Sequence, residues 1–294
     1  AAAARAAIAE RVAQPLGLAT EVAAGGIVRI AVANMANAVR AVTTERGLDP
    51  RDFTLIAYGG GGPLHACLLA RELAVPRVLV PTAPAVFAAV GMLRADLRRD
   101  YVLTHVVRLS TADLAELEAL WTELEARGRQ EIERFGVELL GITVRRSADM
   151  RYVRQEHAVT VQLPPHLGSE EDRALVKRLF DAAHEQRYSH SAPEEECELV
   201  SLRVAVIGEV RKPPLERRNA TGETPRPRGY REVYVEGSGW QRWPAYARAV
   251  LPPGATLEGP ALVDEPGTTT VVEPGDRLRV DGYGNLCITV MSNE

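Results

Sequence analysis

The segment YGGGGPLH, Tyr58–His65, is the part of the sequence best suited to hold an anion. Its four glycines, Gly59, Gly60, Gly61 and Gly62, let a ligand approach the main chain because no side chain stands in the way. A helix that begins directly after them offers free N–H groups and about half a positive charge. The pattern predicts a phosphate or nucleotide contact, with a tight structural turn as the alternative.

This glycine run does not match the common nucleotide motifs. It lacks the Gly-Lys-Ser/Thr ending of a Walker A loop. It also lacks the GxGxxG spacing with an acid about 20 residues on that marks dinucleotide sites. His65 falls in the first turn of the predicted helix, where it is a candidate ligand-binding or catalytic side chain. The alternative for His65 is a structural hydrogen bond to a loop carbonyl.

A second set of polar residues follows a helical spacing of three. Asn34, Asn37 and Arg40 form a ridge along the predicted long helix. We interpret this ridge either as a face toward a substrate or an interface, or as a solvated helix face.

A third candidate pair lies in the strand-like run MRYVRQEHAV. Alternation predicts that Arg151 and Gln155 share one face, with Tyr152 opposite. They are candidates for a substrate pocket or subunit interface, and an ordinary sheet surface is the alternative. No metal site is predicted, because His184 and His190 have no third ligand nearby in the sequence.

Composition narrows the classes of function. The 294 residues are 46% hydrophobic and 25% charged, with a net charge of -4. An acidic balance with 5% aromatics disfavours nucleic-acid binding. Three widely separated cysteines fit a reducing cytoplasm. No apolar run reaches the roughly 20 residues that are needed to span a bilayer. The start reads as the interior of an amphipathic helix, so we expect the chain to be part of a larger protein.

The segments on both sides of the glycines predict an α/β region over residues 1–96. A long helix is predicted from Thr20 through Glu45, then a strand Phe53–Tyr58. Pro63 suits the first position of the next helix, and Arg77–Val80 reads as a second strand. Strand, helix and strand with short connections predict a parallel βαβ unit.

Residues 97–210 read as an α+β domain. We expect a helix capped by Ser110 and another over Glu170–Tyr188. Three strands are expected at 142–154, 158–163 and 199–210. A linker rich in proline and charge is predicted at 211–229. Residues 230–294, with PG and DG turns between short apolar runs, predict a small β-rich domain, a barrel or sandwich.

Longer motifs are recognisable once these elements are in place. They run in the order ERGLDPRDF, GGGGPLHA, PRVLVP and GMLRAD, followed later by MRYVRQEHAVTV and GPALVDEPGTTTVVEPGDRLRVDGYGNL. This ordered set resembles the C-terminal part of the hydantoinase A/5-oxoprolinase family, which includes N-methylhydantoinase A and acetone carboxylase beta-like subunits.

The resemblance implies a fold and a chemistry. The fold would be the second lobe of an actin-like ATPase (ASKHA) followed by α+β and β-rich C-terminal domains. The chemistry would use ATP and Mg²⁺ to open a cyclic amide, such as a hydantoin, 5-oxoproline or a lactam, by carbonyl phosphorylation. The alternatives are a subunit of an ATP-dependent acetone/acetophenone-type carboxylase, or a non-catalytic docking module of such a complex.

The resemblance also implies what this chain lacks. The family's first lobe carries a DxGGT-type phosphate loop, which is not found here. Gly59–Gly62 and His65 would then be the second-lobe contact to the nucleotide. The expected partners are the N-terminal lobe of the same protein and a hydantoinase B-type subunit, and this chain alone is not expected to turn over.

Overall fold

The computed structural model describes residues 2–219 and 225–291. The chain divides into two compact units, one formed by Ala1–Met92 with Pro214–Glu294 and the other by Leu93–Pro213. The predicted α+β domain at 97–210 lies within the second unit, and the predicted domains at 1–96 and 230–294 both lie mainly in the first unit. Part of the predicted linker at 211–229, residues 220–224, lies outside the described residues.

The first unit contains five helices and nine strands among its described residues. The helices are α1 (Ala2–Ile8), α2 (Gln14–Leu16), α3 (Thr20–Val42), α4 (Gly62–Glu72) and α5 (Phe87–Met92). The strands are β1 (Thr54–Ile56), β2 (Arg77–Val80), β7 (Gly229–Val235), β8 (Gly239–Ala247), β9 (Thr256–Glu258), β10 (Ala261–Glu265), β11 (Thr268–Val272), β12 (Arg277–Val280) and β13 (Leu286–Thr289).

The predicted βαβ unit is present. β1 and β2 pair in parallel, with Leu55 opposite Val78, and α4 connects them. Pro63 occupies the first turn of α4, where its missing N–H costs little. The apolar face of α4, including Ala66 and Ala70, is buried in the core. Local sequence signals were sufficient here because the strands and helix are close in sequence.

The sheet that contains β1 and β2 is completed by distant residues. Its strand order is β1-β2-β13-β12-β9, and β13 pairs antiparallel with β2. Leu286 and Ile288 of β13 lie opposite Val80 and Val78 and share their core. Turn residues predicted the strands of the C-terminal region correctly, but they carry no information about a partner strand some 200 residues away. The C-terminal strands therefore extend the first region.

A second sheet completes this unit, in the order β11-β10-β8-β7. β10 is parallel to β8 and antiparallel to β11, so the sheet is mixed. Trp243 and Leu262 form a small core cluster on this sheet, and Val263 and Val272 belong to the larger core. The four strands form an open sheet, while β9, β12 and β13 join the sheet of β1 and β2. Of the predicted barrel or sandwich, the closed barrel is therefore not formed.

Helix α3 is long and apolar. Together with the turn after it, α3 forms the segment Thr20–Arg46, which is the one segment among the described residues with the helical length and hydropathy to cross a bilayer. Of its most apolar window 17% is buried, and a core helix or a signal sequence passes the same test. Its Val32 and Ala36 side chains are buried in the same core as α4. The helix stops at Val42, and Thr44–Arg46 forms a short 3-10 turn before Gly47.

The second unit is a four-stranded antiparallel sheet with two long helices. Its elements are β3 (Leu97–Arg108), α6 (Leu114–Glu133), β4 (Leu139–Tyr152), β5 (Val159–Gln162), α7 (Glu170–Tyr188) and β6 (Cys197–Val210). The strand order is β3-β6-β4-β5. Trp121 and Phe180 from the two helices pack with Met150 and Leu199 from the sheet, and all four are fully buried.

The helix starts of this unit refine the predictions. Helix α7 begins and ends where expected, with a Ser169–Asp172 capping box. The predicted cap of α6 at Ser110 was wrong. Asp113 caps this helix by accepting from the N–H groups of Ala115 and Glu116. Asp accepts these bonds as well as Ser does, and sequence alone did not decide between the two.

Candidate functional site

The glycine loop lies where two parallel strands end. β1 runs into Gly59–Gly62, and β2 runs into Pro81–Pro84. Because parallel strands end at the same edge of a sheet, the two turns lie side by side, and the N–H of Gly59 donates to the carbonyl of Pro84 over 2.7 Å. Ala83 in the second turn has a φ of 51°, unusual for a residue with a side chain. Ligands of α/β sheets bind at this kind of edge.

The four glycines have different roles. Gly59 has a φ of 82°, which glycine adopts without strain. At Gly60 an added Cβ would lie 3.2 Å from the carbonyl oxygen of Gly267, so this residue is needed for close packing. At Gly61 an added Cβ meets nothing within 4 Å. The structure therefore supports the turn interpretation for the first two glycines and leaves Gly61 facing open space.

Helix α4 starts at this open space without a side-chain cap. Gly61 precedes it, and no acidic residue lies in the first turn. In α4 the N–H of Leu64 donates to the carbonyl of Gly61 at 3.2 Å and Pro63 has no N–H, so the donors that remain for a ligand come from the glycines before Pro63. The Nδ1 atom of His65, one turn along, is buried and has no hydrogen-bond partner among the described residues. The Nδ1 atom therefore does not make the hydrogen bond to a loop carbonyl that is the alternative for His65.

A hydrogen bond from β11 holds the loop in place, and a cavity lies beside the loop. The hydroxyl of Thr268 donates to the carbonyl of Gly60 over 2.8 Å. Beyond Pro84, a cavity of about 590 Å³ is lined by Ala83, Ala85, Val86, Arg228, Ala247, Arg248, Ala249, Asp264, Glu265 and Pro266. The loop and the cavity are neighbours, since Gly59 binds Pro84 and Gly60 packs on Gly267.

Arg248 supports the wall of this cavity. Its guanidinium donates to the carbonyls of Val80, Pro81 and Gly284 at 3.3, 3.2 and 2.7 Å, and it pairs with Glu265 at 3.2 Å. Burial lowers the pKa of Arg248 and raises the pKa of Glu265, although each partner's charge opposes the effect. Because its guanidinium donates to these backbone carbonyls, Arg248 fixes the position of the end of β2.

The predicted ridge on α3 lies elsewhere. Arg40 donates to Asn37 at 3.1 Å and pairs with Glu72 at 3.1 Å. Glu72 is the last residue of α4, whereas the glycine loop is at its start. Asn34 and Asn37 are exposed. The structure brings Arg40 and Asn37 together but does not bring them to the glycine loop.

Arg151 and Gln155 belong to the second unit. Arg151 pairs with Glu198 at 2.7 Å. The strand ends at Tyr152, and Arg154 has a φ of 79°, which turns the chain. Gln155 consequently bonds to His184, whose ring packs 4.9 Å from that of Tyr152. The prediction that Gln155 shares a face with Arg151 opposite Tyr152 was therefore wrong, because alternation stops where the strand stops.

The remaining metal-ligating and nucleophilic side chains give little support for a second functional site. Among the described residues, no group of three or more His, Cys, Asp or Glu side chains is placed to hold a metal ion. Cys67 is buried and its thiol donates to the carbonyl of Val271 at 3.1 Å. Burial raises the pKa of Cys67 far above its usual range, so it is a structural thiol, as expected.

The residues that sequence analysis missed are the supports of the loop. Thr268 of β11 contacts Gly60, 208 residues earlier in the chain, and Arg248, in the 3-10 turn Arg248–Val250, contacts Pro81, 167 residues earlier. Glu265 of β10 pairs with Arg248. No local motif marks them, because their role depends on β10 and β11 packing beside α4. The turn DEPGTTT was read as turn chemistry only, although its Gly267 and Thr268 contact Gly60.

Comparison with known protein families gives two matches that together cover most of the chain. The hydantoinase/oxoprolinase family matches residues 1–101. The hydantoinase/oxoprolinase C-terminal domain matches residues 108–287.

Individual relatives are similar over nearly the whole chain. A protein of Methanocaldococcus jannaschii is 38% identical over 95% of this chain and 39% of its own length. Caprolactamase subunit alpha of Pseudomonas jessenii is 32% identical over 94% of this chain and 40% of its own length. The chain thus spans about 40% of the length of these relatives.

Solved structures share the fold. The crystal structure of the ATP-dependent caprolactamase from Pseudomonas jessenii superposes with a TM-score of 0.77 at 31% identity, covering 98% of this chain and 42% of that one. The nucleotide-free structure of acetone carboxylase, from work on ATP-dependent acetone carboxylation, gives 0.79 at 26% identity with the same coverage. The mixed α/β fold is therefore that of these two enzymes.

Proposed function

Since the chain belongs to the hydantoinase/oxoprolinase family, we propose that it is the C-terminal part of an ATP-dependent enzyme subunit that opens a cyclic amide. The glycine loop would contact the nucleotide. One observation carries this proposal: an uncapped helix start, open space at Gly61 and an unpartnered His65 nitrogen occur together at the end of β1. These groups suit the phosphates of ATP, which accept hydrogen bonds and carry negative charge.

The residues of this chain would bind and orient. Backbone N–H groups of the loop and of the start of α4 would donate to phosphate oxygens, and His65 would donate from Nδ1. ATP would supply the phosphoryl group that activates the amide carbonyl, as the family resemblance implies. Mg²⁺ would accompany the phosphates and would be held mainly by them and by water. In this proposal the loop is one wall of an actin-like ATPase cleft.

The relatives of named activity fall in both branches. Identity is 32% to the caprolactamase subunit and 28% to 5-oxoprolinase 1 of Arabidopsis thaliana. It is 30% to the acetophenone carboxylase gamma subunit of Aromatoleum aromaticum and 27% to the acetone carboxylase beta subunit of Xanthobacter autotrophicus. We place a cyclic amide ahead of a ketone on the 32% identity to the caprolactamase subunit. The carboxylase alternative is favoured by the 30% identity and by a TM-score of 0.79 to acetone carboxylase against 0.77 to caprolactamase.

The partners in this proposal are the N-terminal lobe of the same polypeptide and a separate hydantoinase B-type subunit. Three relatives are an alpha, a gamma and a beta subunit of their enzymes, which supports an assembly. The three cysteines, all free, suit a cytoplasmic location.

Nucleotide binding tests the role of the loop. The full-length polypeptide with Gly61→Val should bind a labelled ATP analogue at least tenfold more weakly, because the side chain fills the space next to the helix start. Gly26→Ala is the control, since an added Cβ there also meets nothing within 4 Å. Equal binding by both variants and the unchanged protein would show that the loop is structural.

A substrate screen tests the reaction class. ADP release by the full-length polypeptide with its partner subunit should rise with a lactam, a hydantoin or 5-oxoproline and stay at the background with acetone or acetophenone. Release that depends on a ketone and bicarbonate would instead assign the carboxylase alternative.

A further inference from the structure

The sheet of the second unit has one covered face and one open face. Trp121 of α6 and Phe180 of α7 lie in one core cluster with Val204 and Val206 of β6, so both helices pack on the same face. Successive strand residues point to opposite faces. Ala205, between the two valines, therefore points to the open face, which no helix or strand among the described residues of this unit covers.

The open face has a depression at Ala205. In the register of β3, β6 and β4, Ala205 lies opposite Asp100 on one side and Arg145 on the other. Because Ala205 has only a methyl group, the longer side chains around it rise above it and enclose a cavity of about 230 Å³. We call this cavity the Ala205 depression, and its polar walls include Arg98, Asp100, Arg145, Ser147, Gln162 and Arg203.

Arginines from three neighbouring strands reach the depression. Arg98 of β3 is paired with Asp100 at 2.8 Å, and Arg203 of β6 is paired with Asp149 at 2.7 Å. Arg145 of β4 is exposed and has no side-chain hydrogen bond or ion pair with any described residue. Two of the three guanidinium groups are therefore neutralised, and the third leaves a net positive charge in the depression.

Arg145 differs from its neighbour in sequence. Arg146 points to the covered face, where Glu118 and Glu125 bind its guanidinium. A buried arginine requires such partners, whereas Arg145 has all five of its N–H donors available on the open face. The guanidinium fork matches the geometry of a carboxylate or a phosphate and can bind two of its oxygens at once.

Neutral donors complete the wall next to Arg145. Ser147 of β4 and Gln162 of β5 lie opposite each other in the register, and both line the depression. Their hydroxyl and amide groups make no hydrogen bond with any described residue, whereas the hydroxyl of Thr160 donates to Asp149 at 2.6 Å. A cation beside two neutral donors suits an oxyanion.

The size of the depression limits the ligand. A cavity of about 230 Å³ is below the roughly 300 Å³ at which sites for drug-sized ligands begin. It has room for phosphate or for a short dicarboxylate, and it is too small for a nucleotide. The charge and the donors select an anion, and the volume selects a small one.

We propose that the Ala205 depression is a binding site for a small oxyanion, a carboxylate or a phosphate, which Arg145 holds together with Ser147 and Gln162. The site lies within the second unit, and the proposal holds whether or not the glycine loop binds nucleotide. Because Arg145 is exposed, salt screens its attraction for the ligand, and binding should weaken as the ionic strength rises.

Equilibrium dialysis of the full-length polypeptide with radiolabelled phosphate or succinate tests the site. The ATP analogue and Mg²⁺ are present in excess at low ionic strength, so that a phosphate site at the glycine loop does not contribute. We expect at least one of the two anions to bind, and Arg145→Gln to weaken this binding at least fivefold. Arg129→Gln is the matched control, since Arg129 is exposed on α6 and lies outside the depression.

The two probes distinguish the source of the oxyanion. Binding of phosphate alone supports a phosphorylated ligand, and binding of succinate alone supports a carboxylate ligand. The absence of binding of either anion at millimolar concentration would overturn the proposal. Equal binding by the Arg145→Gln and Arg129→Gln variants would overturn it as well.

A second variant tests the shape of the depression. Ala205→Leu fills its floor and leaves the three arginines in place, so it should also weaken anion binding at least fivefold. Thr104→Leu is the control, because Thr104 is exposed on the same face of β3 and does not line the cavity. Unchanged binding in an Ala205→Leu variant with a native circular dichroism spectrum would show that the anion does not occupy the depression.

Chemical modification separates a small anion from a protein partner. Phenylglyoxal modifies exposed arginines, and the bound anion should slow its reaction at Arg145 but not at Arg129, as measured by peptide mass spectrometry. Protection of Arg145 by a separate partner subunit, with no protection by either anion, would assign the open face to that subunit and overturn the proposal.

Discussion

The helix that follows the glycine loop and the two helices of the second unit begin in different ways. Helices α6 and α7 have side-chain caps at Asp113 and Ser169, and Ser169 is part of a capping box. Helix α4 has Gly61 at the same position and no cap. The second unit satisfies its helix starts with its own side chains, whereas the first unit leaves donors free at the end of a parallel strand pair.

Both units pair their buried charges. In the second unit, Arg146 lies between Glu118 and Glu125 and is 4% exposed, and in the first unit Arg248 pairs with Glu265. Both units also contain a buried polar atom without a partner, His65 Nδ1 in the first and Trp121 Nε1 in the second. Uncompensated polar groups cost free energy and are usually explained by a ligand or a function. What distinguishes His65 is its position next to an uncapped helix start, and this position favours a contact with a ligand.

The largest expected effect concerns the charge cluster of the second unit. Arg146→Ala leaves two partly buried carboxylates without their partner and should cost about 2–3 kcal/mol of unfolding free energy, less than for fully buried ions because water reaches both glutamates. Native-state hydrogen exchange in the second unit measures this. Arg145→Ala, at an exposed neighbouring position, should change it by less than about 0.5 kcal/mol. Similar losses of unfolding free energy in both variants would show that the buried cluster stabilises the unit no more than an exposed arginine does.

The second prediction is the order in which the two units lose their hydrogen-exchange protection as the pH falls. Burial opposes ionisation of Glu118, but hydrogen bonds from Arg146 and Leu167 outweigh it and lower its pKa below 4.5. Its contribution is therefore present above that pH and is lost as pH falls through the lowered pKa. Burial raises the pKa of Glu273 in the first unit, so that protonation there relieves a penalty. Exchange protection should fall first in the second unit below about pH 4, and an earlier loss in the first unit would contradict this.

The third prediction compares the helix starts directly. Asp113→Ala should cost about 1 kcal/mol in the second unit, because it removes the acceptor for two N–H groups of α6. Gly61→Asp should leave stability unchanged or raise it by a few tenths of a kcal/mol, because a negative charge near a helix start is favourable.

Gly61→Asp should nevertheless weaken binding of an ATP analogue strongly, since its carboxylate would occupy the place proposed for a phosphate. Thermal unfolding and equilibrium binding of the same protein samples separate the two effects. A Gly61→Asp variant that gains stability and keeps full binding of the ATP analogue would contradict the proposal that the start of α4 is left uncapped for a ligand.

The smallest expected effect is at His65. His65→Leu removes a buried nitrogen that has no partner and should change stability by less than about 1 kcal/mol, in the favourable direction. Binding of the ATP analogue should weaken at the same time. A clear loss of stability would indicate that the imidazole has a structural partner, as in the alternative stated for it from sequence.

Sequence signals predicted what is local. The βαβ unit, Pro63 at the start of α4 and the whole of α7 follow from spacing and capping within about 20 residues. The pairing of β13 with β2 did not follow, because strand partners are chosen by packing across the whole chain. The same limit applies at the site. Gly59 and His65 stood out by type, whereas Thr268 and Arg248 reach the loop only through the tertiary fold.

The most direct test is a structure of the full-length polypeptide with Mg²⁺ and a non-hydrolysable ATP analogue. The account predicts a phosphate oxygen within about 3 Å of the backbone nitrogen of Gly60, Gly61 or Gly62, with His65 Nδ1 turned to the same ligand. A triphosphate bound elsewhere, with this loop unchanged and touching only protein, would contradict it.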